Sequence, residues 1–516
     1  MASQAAVDAV LLHPDDNVCV AARDLRAGTV VALAGRRCRV REPVKLGHKI
    51  ALASIPAGAP VIKYGQTIGI ATRAVGIGDW VHTHNLAIGE LAHEYAPASR
   101  TPPPPEPIQD RTFQGYVRPD GRVGTRNYIA VISTVNCSAS VARFIARRFD
   151  PSRLKDFPNI DGVIALAHGS GCGMPLGAEG HQMLDRVLGG FARHPNVGAY
   201  ILVGLGCEQS GAEHLVDCQQ LARIDGATGS RIAPPVFTIQ ACGGTVKTVE
   251  AAVGAIAELL PQVNGMARQT VPASALVLAT ECGGSDGNSG ITANPAVGVA
   301  CDLVVACGGT AILSETPEIF GAEHLLARRA VSEEVAGKLI ERIAWWKRYV
   351  GAFGAALDNN PSVGNKEGGL TTIAEKSLGA VAKAGSTALV DVYRYAEPVT
   401  AKGLVVMDTP GFDPPSVVGM VAGGANVVVF TTGRGSCYGS KPVPTIKVAS
   451  NTPMYERMID DMDINAGEIL AGRTVRAVGR AVFEEILAVA SGKKTKSEIH
   501  GIGDEEFVPW IVGPML

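Results

Sequence analysis

Aromatic residues and an excess of one charge are both lacking in this chain of 516 residues. Phe, Trp and Tyr make up 5% of the sequence, and 47 basic residues nearly balance 49 acidic ones, giving a net charge of −2. Without excess positive charge, the chain offers no electrostatic case for binding nucleic acid or an anionic membrane surface. Any acidic ligand must therefore be held by local positive groups.

Long apolar runs and an export signal are also missing. The first residues, MASQAAVDAVLLHPDDN, contain no basic segment followed by an apolar run, so we expect no secretory signal. No stretch of roughly 18 apolar residues occurs, which predicts that no segment spans a membrane. We therefore expect a cytoplasmic protein whose 11 cysteines are free thiols or metal ligands rather than disulfide partners.

The familiar nucleotide-binding motifs are absent. No GxGxxG follows the first strand of the predicted α/β region, which disfavours a nicotinamide-dependent oxidoreductase, and no GxxxxGK[ST] occurs. One GxSxG is present, Gly283 to Gly287, but it continues into NSGITANP, which is typical of a loop. A nucleophile elbow needs a helix directly after the serine, so Ser285 is a weak candidate nucleophile.

The sequence divides into four segments. Short apolar stretches between glycine turns predict a small β domain over residues 1–95. Residues 96–112 include Pro102–Pro105 and favour an extended, semi-rigid linker. From there on, apolar strands alternate with helical stretches, which predicts an α/β fold with a parallel sheet. We divide this region into a central domain, residues 113–270, and a C-terminal domain, residues 271–516.

The α/β region contains a series of predicted strands, and most of them precede a loop rich in glycine and polar residues. The strands are Tyr128–Val135, Gly162–Ala167, Gly198–Val203, Ala275–Thr280, Leu303–Ala306, Gly403–Met407 and Asn426–Thr431. The stretches Glu318–Val350 and Thr474–Ser491 are predicted to be helical. Ligands of open α/β sheets bind beyond the carboxyl ends of the strands, so we expect the loops there to form the site.

The motif HTHN in the β domain provides a first set of candidates. A strand would place His82 and His84 on one face, with Asn85 beside them as a candidate for substrate binding. Two imidazoles on one face suit a metal, an anionic substrate or proton transfer. The alternative is a surface histidine pair without a function.

Four cysteines lie in loops after predicted strands and form a second set. They are Cys137, Cys172, Cys207 and Cys282. Thiolates suit iron or an iron–sulfur cluster, so these residues are candidate metal ligands. The alternative is that they are buried thiols, which behave as small apolar residues.

Carboxylates, a lysine and an arginine complete the candidates. Asp286 and Glu315 follow predicted strands and could serve in acid–base catalysis or hold a divalent ion. Glu318 has the alternative reading of an acidic residue at the start of a helix. Lys366 in NKEGG and Arg434 in GRG are candidates for binding a substrate carboxylate; otherwise they belong to solvated loops.

Taken together and in this order, the motifs resemble the altronate dehydratase and galactarate dehydratase family. The resemblance covers nearly the whole chain. It rests on KYGQTIGIATRAVGIGDWVHTHN, GYVRPDGRVGTRNY, TVNC, GLGCE, CGGSDGNSGITANP, GGTAILSETPEIFGAEHLL, NPSVGNKEGGLTTIAEKS, FTTGRGS and DINAG. One departure is GRGSCYG, where typical members carry GRGTP, so that Cys437 stands in the place of the proline.

The resemblance implies a three-part fold and a lyase activity. The fold is a small N-terminal β-clip (SAF) domain, a proline-containing linker and a large α/β region with a Rossmann-like parallel sheet. The implied reaction removes water from an altronate-like aldonate or a galactarate-like aldarate and gives a 2-keto-3-deoxy acid. The implied cofactor is a divalent metal, usually Fe²⁺ with Mn²⁺ as an alternative. Whether the iron is mononuclear or part of an iron–sulfur cluster stays open, and a homo-oligomer, at least a dimer, is expected.

For such a β-elimination we expect a general base and a general acid next to a Lewis-acidic metal. His82 or His84 is favoured for proton transfer, followed by Asp286 and Glu315. Two alternative functions remain. One is a sulfo-lyase acting on sulfolactate, whose relatives split this architecture over two chains and expel sulfite, and the other is a non-catalytic sugar-acid-binding protein.

Overall fold

The computed structural model describes residues 7–89, 95–224 and 230–512. It confirms a mixed α/β fold that begins with a small β domain. Among the described helices, none combines the length and apolar character needed to cross a membrane.

The N-terminal β domain consists of short antiparallel strands. Its strands are Ala9–Val10, Val18–Ala21, Val30–Leu33, Arg36–Arg39, Lys49–Ala51, Pro60–Lys63, Gln66–Ala71, Trp80–Val81 and Leu86–Ala87. They form a four-stranded sheet, a three-stranded sheet and one separate hairpin. The last strand before the histidine motif ends at Val81, and residues 82–85 form a turn. The expectation that a strand places His82 and His84 on one face is therefore wrong.

The linker follows the surface of the C-terminal domain, with a turn at residues 97–100 and no regular secondary structure over residues 101–109. The backbone N–H groups of Ala98, Arg100 and Ile108 donate hydrogen bonds to the carbonyls of Ala327, Arg328 and Ala306. The linker is thereby held along its length.

The central domain contains a parallel four-stranded sheet. In spatial order the strands are Gly162–Leu166, Tyr128–Ser133, Val197–Gly204 and Val236–Thr238. The helices are Ala139–Ala146, Glu179–Ala192, Ala212–Cys218, Ile239–Cys242 and Thr245–Asn264, with a 3-10 turn at Asn136–Ser138. A separate antiparallel sheet of Val123–Gly124, Thr112–Val117 and Arg268–Pro272 joins the two ends of this domain, and Arg223–Ile224 pairs with Arg231–Ile232.

The C-terminal domain contains a parallel seven-stranded sheet, called the large sheet below. In spatial order its strands are Leu389–Tyr393, Gly403–Met407, Thr310–Leu313, Val277–Cys282, Val427–Thr432, Thr445–Ala449 and Ile464–Asn465. Its α-helices are Ala293–Ala306, Glu323–Arg328, Glu333–Ala352, Val363–Glu367, Ile373–Ala380, Asp413–Ala422, Thr452–Arg457, Val475–Ala490 and Lys496–Ile499. Short 3-10 helices lie at Ala273–Ala275, Thr316–Glu318, Leu357–Asn359, Val381–Ala384 and Ala466–Ala471.

Most of the predicted strands are confirmed within a few residues, but Leu303–Ala306 is wrong. These residues form the last turn of the buried helix Ala293–Ala306, and the strand Thr310–Leu313 follows after Gly308 and Gly309. A short apolar run fits a buried helix and a buried strand equally well, so its pattern alone could not decide. The predicted long helix Glu318–Val350 is likewise divided into two helices.

A buried ion triad docks the β domain on the C-terminal domain. Lys49 and Lys63 of the β domain both donate to the carboxylate of Glu375 at 2.8 Å, and all three side chains are at most 1% exposed. Beside the triad the two backbones nearly touch, because a Cβ on Gly287 would lie 1.9 Å from the carbonyl oxygen of Gly47. Only glycine fits at that position.

Replacing Glu375 by Gln should loosen this docking. The change leaves two ammonium groups buried without an anion, which typically costs about 3–5 kcal/mol. We expect a lower thermal unfolding temperature and faster proteolysis in the linker. The matched control is Glu468→Gln, which removes an exposed pair with Arg473. Equal unfolding temperatures for the two variants would show that the triad does not hold the domains together.

Candidate active site

The order of strands in the large sheet creates a crevice at one position. After Val277–Cys282 the chain adds Thr310–Leu313 on one side of that strand, and it later adds Val427–Thr432 on the other side. Ligands of open α/β sheets bind where the connections diverge in this way. The loops that start at Gly283, Ser314 and Gly433 meet there.

A cluster of titratable side chains lies at this crevice, all of them buried except the half-buried Asp413, and we call it the carboxylate–lysine cluster. It consists of Glu281, Cys282, Glu315, Glu318, Lys376, Lys383 and Asp413. Glu281 and Cys282 end the central strand, and Glu315 follows the neighbouring strand. The lysines come from the segment 373–384, which packs over the strand ends, and Asp413 opens the helix Asp413–Ala422.

Lys383 joins the thiol and one carboxylate of the cluster. Its ammonium donates to Cys282 Sγ at 2.8 Å and to Glu315 Oε2 at 2.6 Å. Lys383 has no exposed surface, and Glu315 is 1% exposed. Burial lowers the pKa of Lys383, but the thiol and the acids around it outweigh burial and raise the pKa above its usual value. The lysine is therefore charged.

Lys376 and Asn360 hold the second carboxylate. Lys376 Nζ donates to Glu318 Oε1 at 2.6 Å and to Asn360 Oδ1 at 2.9 Å, while Asn360 Nδ2 donates to the same Glu318 oxygen at 2.7 Å. Burial raises the pKa of Glu318, but Lys376 and Lys383 outweigh it, so the pKa lies below its usual value. Glu318 is therefore an ionised carboxylate.

Glu281 and Asp413 lack such a counter-charge. Glu281 Oε2 accepts hydrogen bonds from Ser314 and Ser416, but Oε1 is buried without a partner. Burial, Glu315 and Asp413 together raise the pKa of Glu281 well above its usual value. Burial and the neighbouring acids raise the pKa of Asp413 to about 7.

The cluster therefore contains more negative than positive groups. Its four carboxylates face two ammonium groups, so two negative charges need either protons or a cation. Donor atoms of Glu281, Glu315 and Asp413 lie within 4.8 Å of one another, as do those of Cys282, Glu315 and Glu318. The second set already faces the two lysines. The first set includes the unpartnered Glu281 oxygen, and its oxygen donors fit a divalent ion.

The backbone of Glu315 is strained at this position. Its φ of 63° lies in the left-handed region, which costs a residue with a Cβ about 1 kcal/mol or more. The conformation is held by the Glu315 N–H, which donates to Thr409 Oγ1 at 2.7 Å, and by the Cys282 N–H, which donates to Glu315 Oε2. Strain of this kind is concentrated at functional sites.

A cleft of about 430 Å³ opens beside the cluster. Cys282, Glu318, Lys376 and Asp413 line it together with uncharged polar side chains and backbone; these are Gly283, Gly284, Asn359, Asn360, Ser362, Asn365 and Gly411. Such a lining offers donors and acceptors for several hydroxyl groups. A Cβ on Gly283 would lie 2.2 Å from the Asp413 carboxylate, so glycine is needed there.

A second cavity, of about 470 Å³, lies at the domain interface. His48, Trp80, His82 and Lys366 line it together with Pro43, Lys45, Val363 and Glu367. The two cavities are separated by the helix Val363–Glu367, whose residues Val363, Lys366 and Glu367 face one cavity and Asn365 the other.

The imidazoles of this second cavity are buried and neutral. His82 stacks on Trp80 with ring centroids 5.1 Å apart, and its Nδ1 has no partner. Burial, together with Lys49 and His48, lowers the pKa of His82 to about 3. His48 accepts from Trp80 Nε1 at its Nδ1 and donates to the Glu367 carbonyl from Nε2.

The predicted candidates are distributed over several places. His82 and Lys366 share the second cavity, and Cys282 and Glu315 share the cluster. His84 is exposed. Asn85 closes the turn by accepting from the His82 N–H and donating to the Trp80 carbonyl.

Asp286 and Arg434 lie between the cluster and the domain interface. Both carboxylate oxygens of Asp286 accept hydrogen bonds, from Ser289, Ser450 and Asn451 among others, so Asp286 fixes loops. Arg434 is exposed and pairs with Glu367 at 3.2 Å. Its guanidinium is therefore accessible to solvent.

The remaining three candidate cysteines lie on the other sheet. Cys137, Cys172 and Cys207 are exposed and follow three adjacent strands of the central domain. Their loops are connected, because the Asn136 N–H donates to the Ser170 carbonyl and Thr134 Oγ1 to Glu208. Among the described residues, no group of three or more donor atoms within 4.8 Å of one another contains two cysteines. Cys282 thus lies in the carboxylate–lysine cluster, apart from the three thiols of the central domain.

Sequence reasoning missed Lys383, Asp413 and His48 as site residues. Lys383 is a lone lysine within LGAVAKAG, and a charge inside an apolar run is a signal for a buried ion pair. Asp413 follows the strand Gly403–Met407, but acidic residues also favour the start of a helix. No sequence pattern indicated His48 as a site residue, because its place in the second cavity depends on how it packs against Trp80.

Comparisons with known proteins cover all three parts of the chain. Family models match residues 7–89 as the SAF domain of altronate/galactarate dehydratases, residues 115–264 as the second domain of D-galactarate dehydratase/altronate hydrolase, and residues 273–515 as the C-terminal domain of D-galactarate/altronate dehydratase.

Similar full-length proteins carry related names. The chain is 37% identical to the altronate dehydratase of Bacillus subtilis, over 95% of this chain and 96% of that protein. It is 39% identical to the galactarate dehydratase (L-threo-forming) of Escherichia coli, over 94% and 93%. It is 32% identical to the beta subunit of the (2R)-sulfolactate sulfo-lyase of Chromohalobacter salexigens, over 78% of this chain and 97% of that subunit.

The difference in burial predicts different reactivities of the candidate thiols. Iodoacetamide should alkylate Cys137, Cys172 and Cys207 in the folded, metal-free protein but leave Cys282 unmodified, because burial and Glu315 raise the pKa of the Cys282 thiol. Peptide mass spectrometry after short exposures measures each site. After denaturation all four should react alike. Alkylation of Cys282 as fast as Cys172 in the folded protein would contradict the buried cluster.

Proposed function

Because the chain belongs to the D-galactarate/altronate dehydratase family, we propose that it is a hydro-lyase that converts a sugar acid, an aldonate or aldarate, to a 2-keto-3-deoxy acid. The observation that carries the site assignment is the carboxylate–lysine cluster beside a polar cleft at the crevice of the large sheet. Lys376 places an ammonium group in the wall of this cleft, where it is paired with Glu318.

The reaction is a β-elimination. The α-proton leaves, its electron pair forms the new double bond, the C–O bond at the β-carbon breaks, and the hydroxyl departs as water with an added proton. The enol that remains tautomerises to the keto acid. A base and a proton donor must therefore lie in the same cleft.

We assign these roles to Glu318 and Lys376. Both line the cleft, Glu318 as an ionised acceptor and Lys376 as a charged donor. Asn360 binds both side chains, so their spacing is fixed before substrate arrives. Positioned groups of this kind typically contribute about 10²–10⁴-fold to the rate. His82 lines the second cavity and its Nδ1 has no partner, so it is the second candidate for the base, for a substrate that binds in that cavity.

The donor set at the crevice fits a divalent metal, and we propose Fe²⁺, with Mn²⁺ as the alternative. Glu281, Glu315 and Asp413 would hold it, because they supply oxygen donors and because Glu281 and Asp413 have no direct ammonium partner. When bound, such an ion supplies Lewis acidity for the substrate oxygens. The alternative ligands are the three exposed cysteines that follow adjacent strands of the central domain, because thiols suit an iron–sulfur cluster.

Substitutions in the cleft test the assignment of the base and donor. Glu318→Gln keeps the shape and the bond from Asn360 but cannot take up a proton, and Lys376→Met removes the donor. Each should lower kcat by about 10²–10⁴-fold. The control is Glu484→Gln, which breaks an exposed pair with Arg111. A Glu318→Gln enzyme with wild-type kcat would remove Glu318 from the mechanism.

A panel of substrates distinguishes the dehydratase from the two alternative functions. Anaerobic, iron-reconstituted protein is incubated with altronate, galactarate, other aldonates and aldarates, and sulfolactate. Keto-acid formation without nicotinamide supports the dehydratase. Sulfite release would identify a sulfo-lyase, and binding without turnover would identify a sugar-acid-binding protein.

Analysis of iron and acid-labile sulfide tests the metal site. The expected result for anaerobically purified protein is iron without sulfide, lost in Glu281→Gln and retained in Cys437→Ser, which changes an exposed thiol. Acid-labile sulfide that disappears in Cys172→Ser would instead place an iron–sulfur cluster on the central domain.

A further inference from the structure

Two histidines and an aspartate of the central domain converge away from the cleft. His181 and Asp185 are one turn apart on the helix Glu179–Ala192, so they project from the same face. His214 comes from the neighbouring helix Ala212–Cys218. His181 Nδ1 lies 3.3 Å and His214 Nε2 lies 3.1 Å from one and the same oxygen, Asp185 Oδ2.

The three donor atoms lie close enough together to contact one small ion. They all lie within 4.8 Å of one another, and the two imidazole rings have centroids 5.3 Å apart. The side chain of His181 is 3% exposed and that of Asp185 10%, while His214 is 37% exposed and leaves the site accessible from solvent. A small ion could therefore enter without unfolding either helix.

The far side of His181 is already fixed. Its Nε2 contacts Ser210 Oγ, which leaves Nδ1 to face Asp185. Metal-binding histidines are commonly held in this way, with the second ring nitrogen bonded to a protein oxygen that fixes the tautomer and the ring orientation. A pair of histidines that merely shared a surface carboxylate would not need this support.

We propose that His181, Asp185 and His214 form a binding site for a divalent transition metal of the Zn²⁺ type. Two imidazole nitrogens and one carboxylate oxygen favour such a metal over Mg²⁺ or Ca²⁺, which prefer oxygen donors alone. The site is separate from the carboxylate–lysine cluster and shares no residue with it.

The bound metal would connect the helices Glu179–Ala192 and Ala212–Cys218, and it would also hold the loop that precedes the second of them. Ser210 lies in the segment 205–211, which leaves the strand Val197–Gly204 and also carries Cys207 and Glu208. Metal at His181 and His214 would tie this segment and the helix Ala212–Cys218 to the helix Glu179–Ala192. Its role is therefore to brace a strand-end loop, independent of turnover.

Zinc binding by the full-length protein tests the site directly. Chelator-treated protein is titrated with Zn²⁺ against a chromophoric competitor, and thermal unfolding is followed with and without Zn²⁺. The wild type should bind more Zn²⁺ than His214→Ala and should gain thermal stability that His214→Ala and Asp185→Asn do not gain. Ser210→Ala should weaken this binding by about 10-fold or more.

The control is His500→Ala, an exposed histidine that contacts the Asp460 carbonyl. It should behave as the wild type, and because other thiol sites can bind Zn²⁺, the difference between variants is the measured quantity. Equal Zn²⁺ stoichiometry and equal thermal shifts in wild type, His214→Ala and Asp185→Asn would overturn the proposal. The readout does not depend on dehydratase activity, so failure here leaves the proposed function untouched.

Discussion

Charge that is buried away from water must be matched by opposite charge, and two networks in this molecule follow that constraint. At the domain interface two lysines surround Glu375, and at the crevice two lysines face four carboxylates. Replacing such networks by apolar residues often does not reduce stability, so their value lies in fixing positions. The interface network carries surplus positive charge and the crevice network surplus negative charge. Only the crevice network therefore needs protons or a metal cation to balance its charge.

The docking of the β domain determines the shape of the site on both sides of the helix Val363–Glu367. Lys49 donates to the Gly369 carbonyl and His48 to the Glu367 carbonyl, so two neighbouring residues of one strand region hold the end of that helix. The backbone contact between Gly47 and Gly287 brings the same segments together. The histidine cavity and the polar cleft are thus built by one packing arrangement.

The sequence predicted the class of fold and most strands, because these depend on local patterns. For the same reason it placed Cys282 and Glu315 beside strand ends, where the structure brings them together in the cluster. It could not place His82 and His84, since the prediction assumed a strand, and here both residues lie in the turn 82–85. Nor could it separate Cys282 from the other three thiols, because strand order, not spacing along the chain, decides which loops meet. The role of Lys383 likewise required knowing that its segment folds back over Cys282.

The linker has a consequence for how the domains associate. Its backbone is bonded to the C-terminal domain at Ala98, Arg100 and Ile108, whereas the β domain is held by its own ion triad and close backbone contact. The covalent linker therefore acts mainly by raising the effective concentration of the β domain near its docking surface. Docking becomes an intramolecular event with a small entropic cost. Two separately encoded pieces with the same surfaces could assemble the same domain interface and second cavity, but their association would then depend on their concentrations.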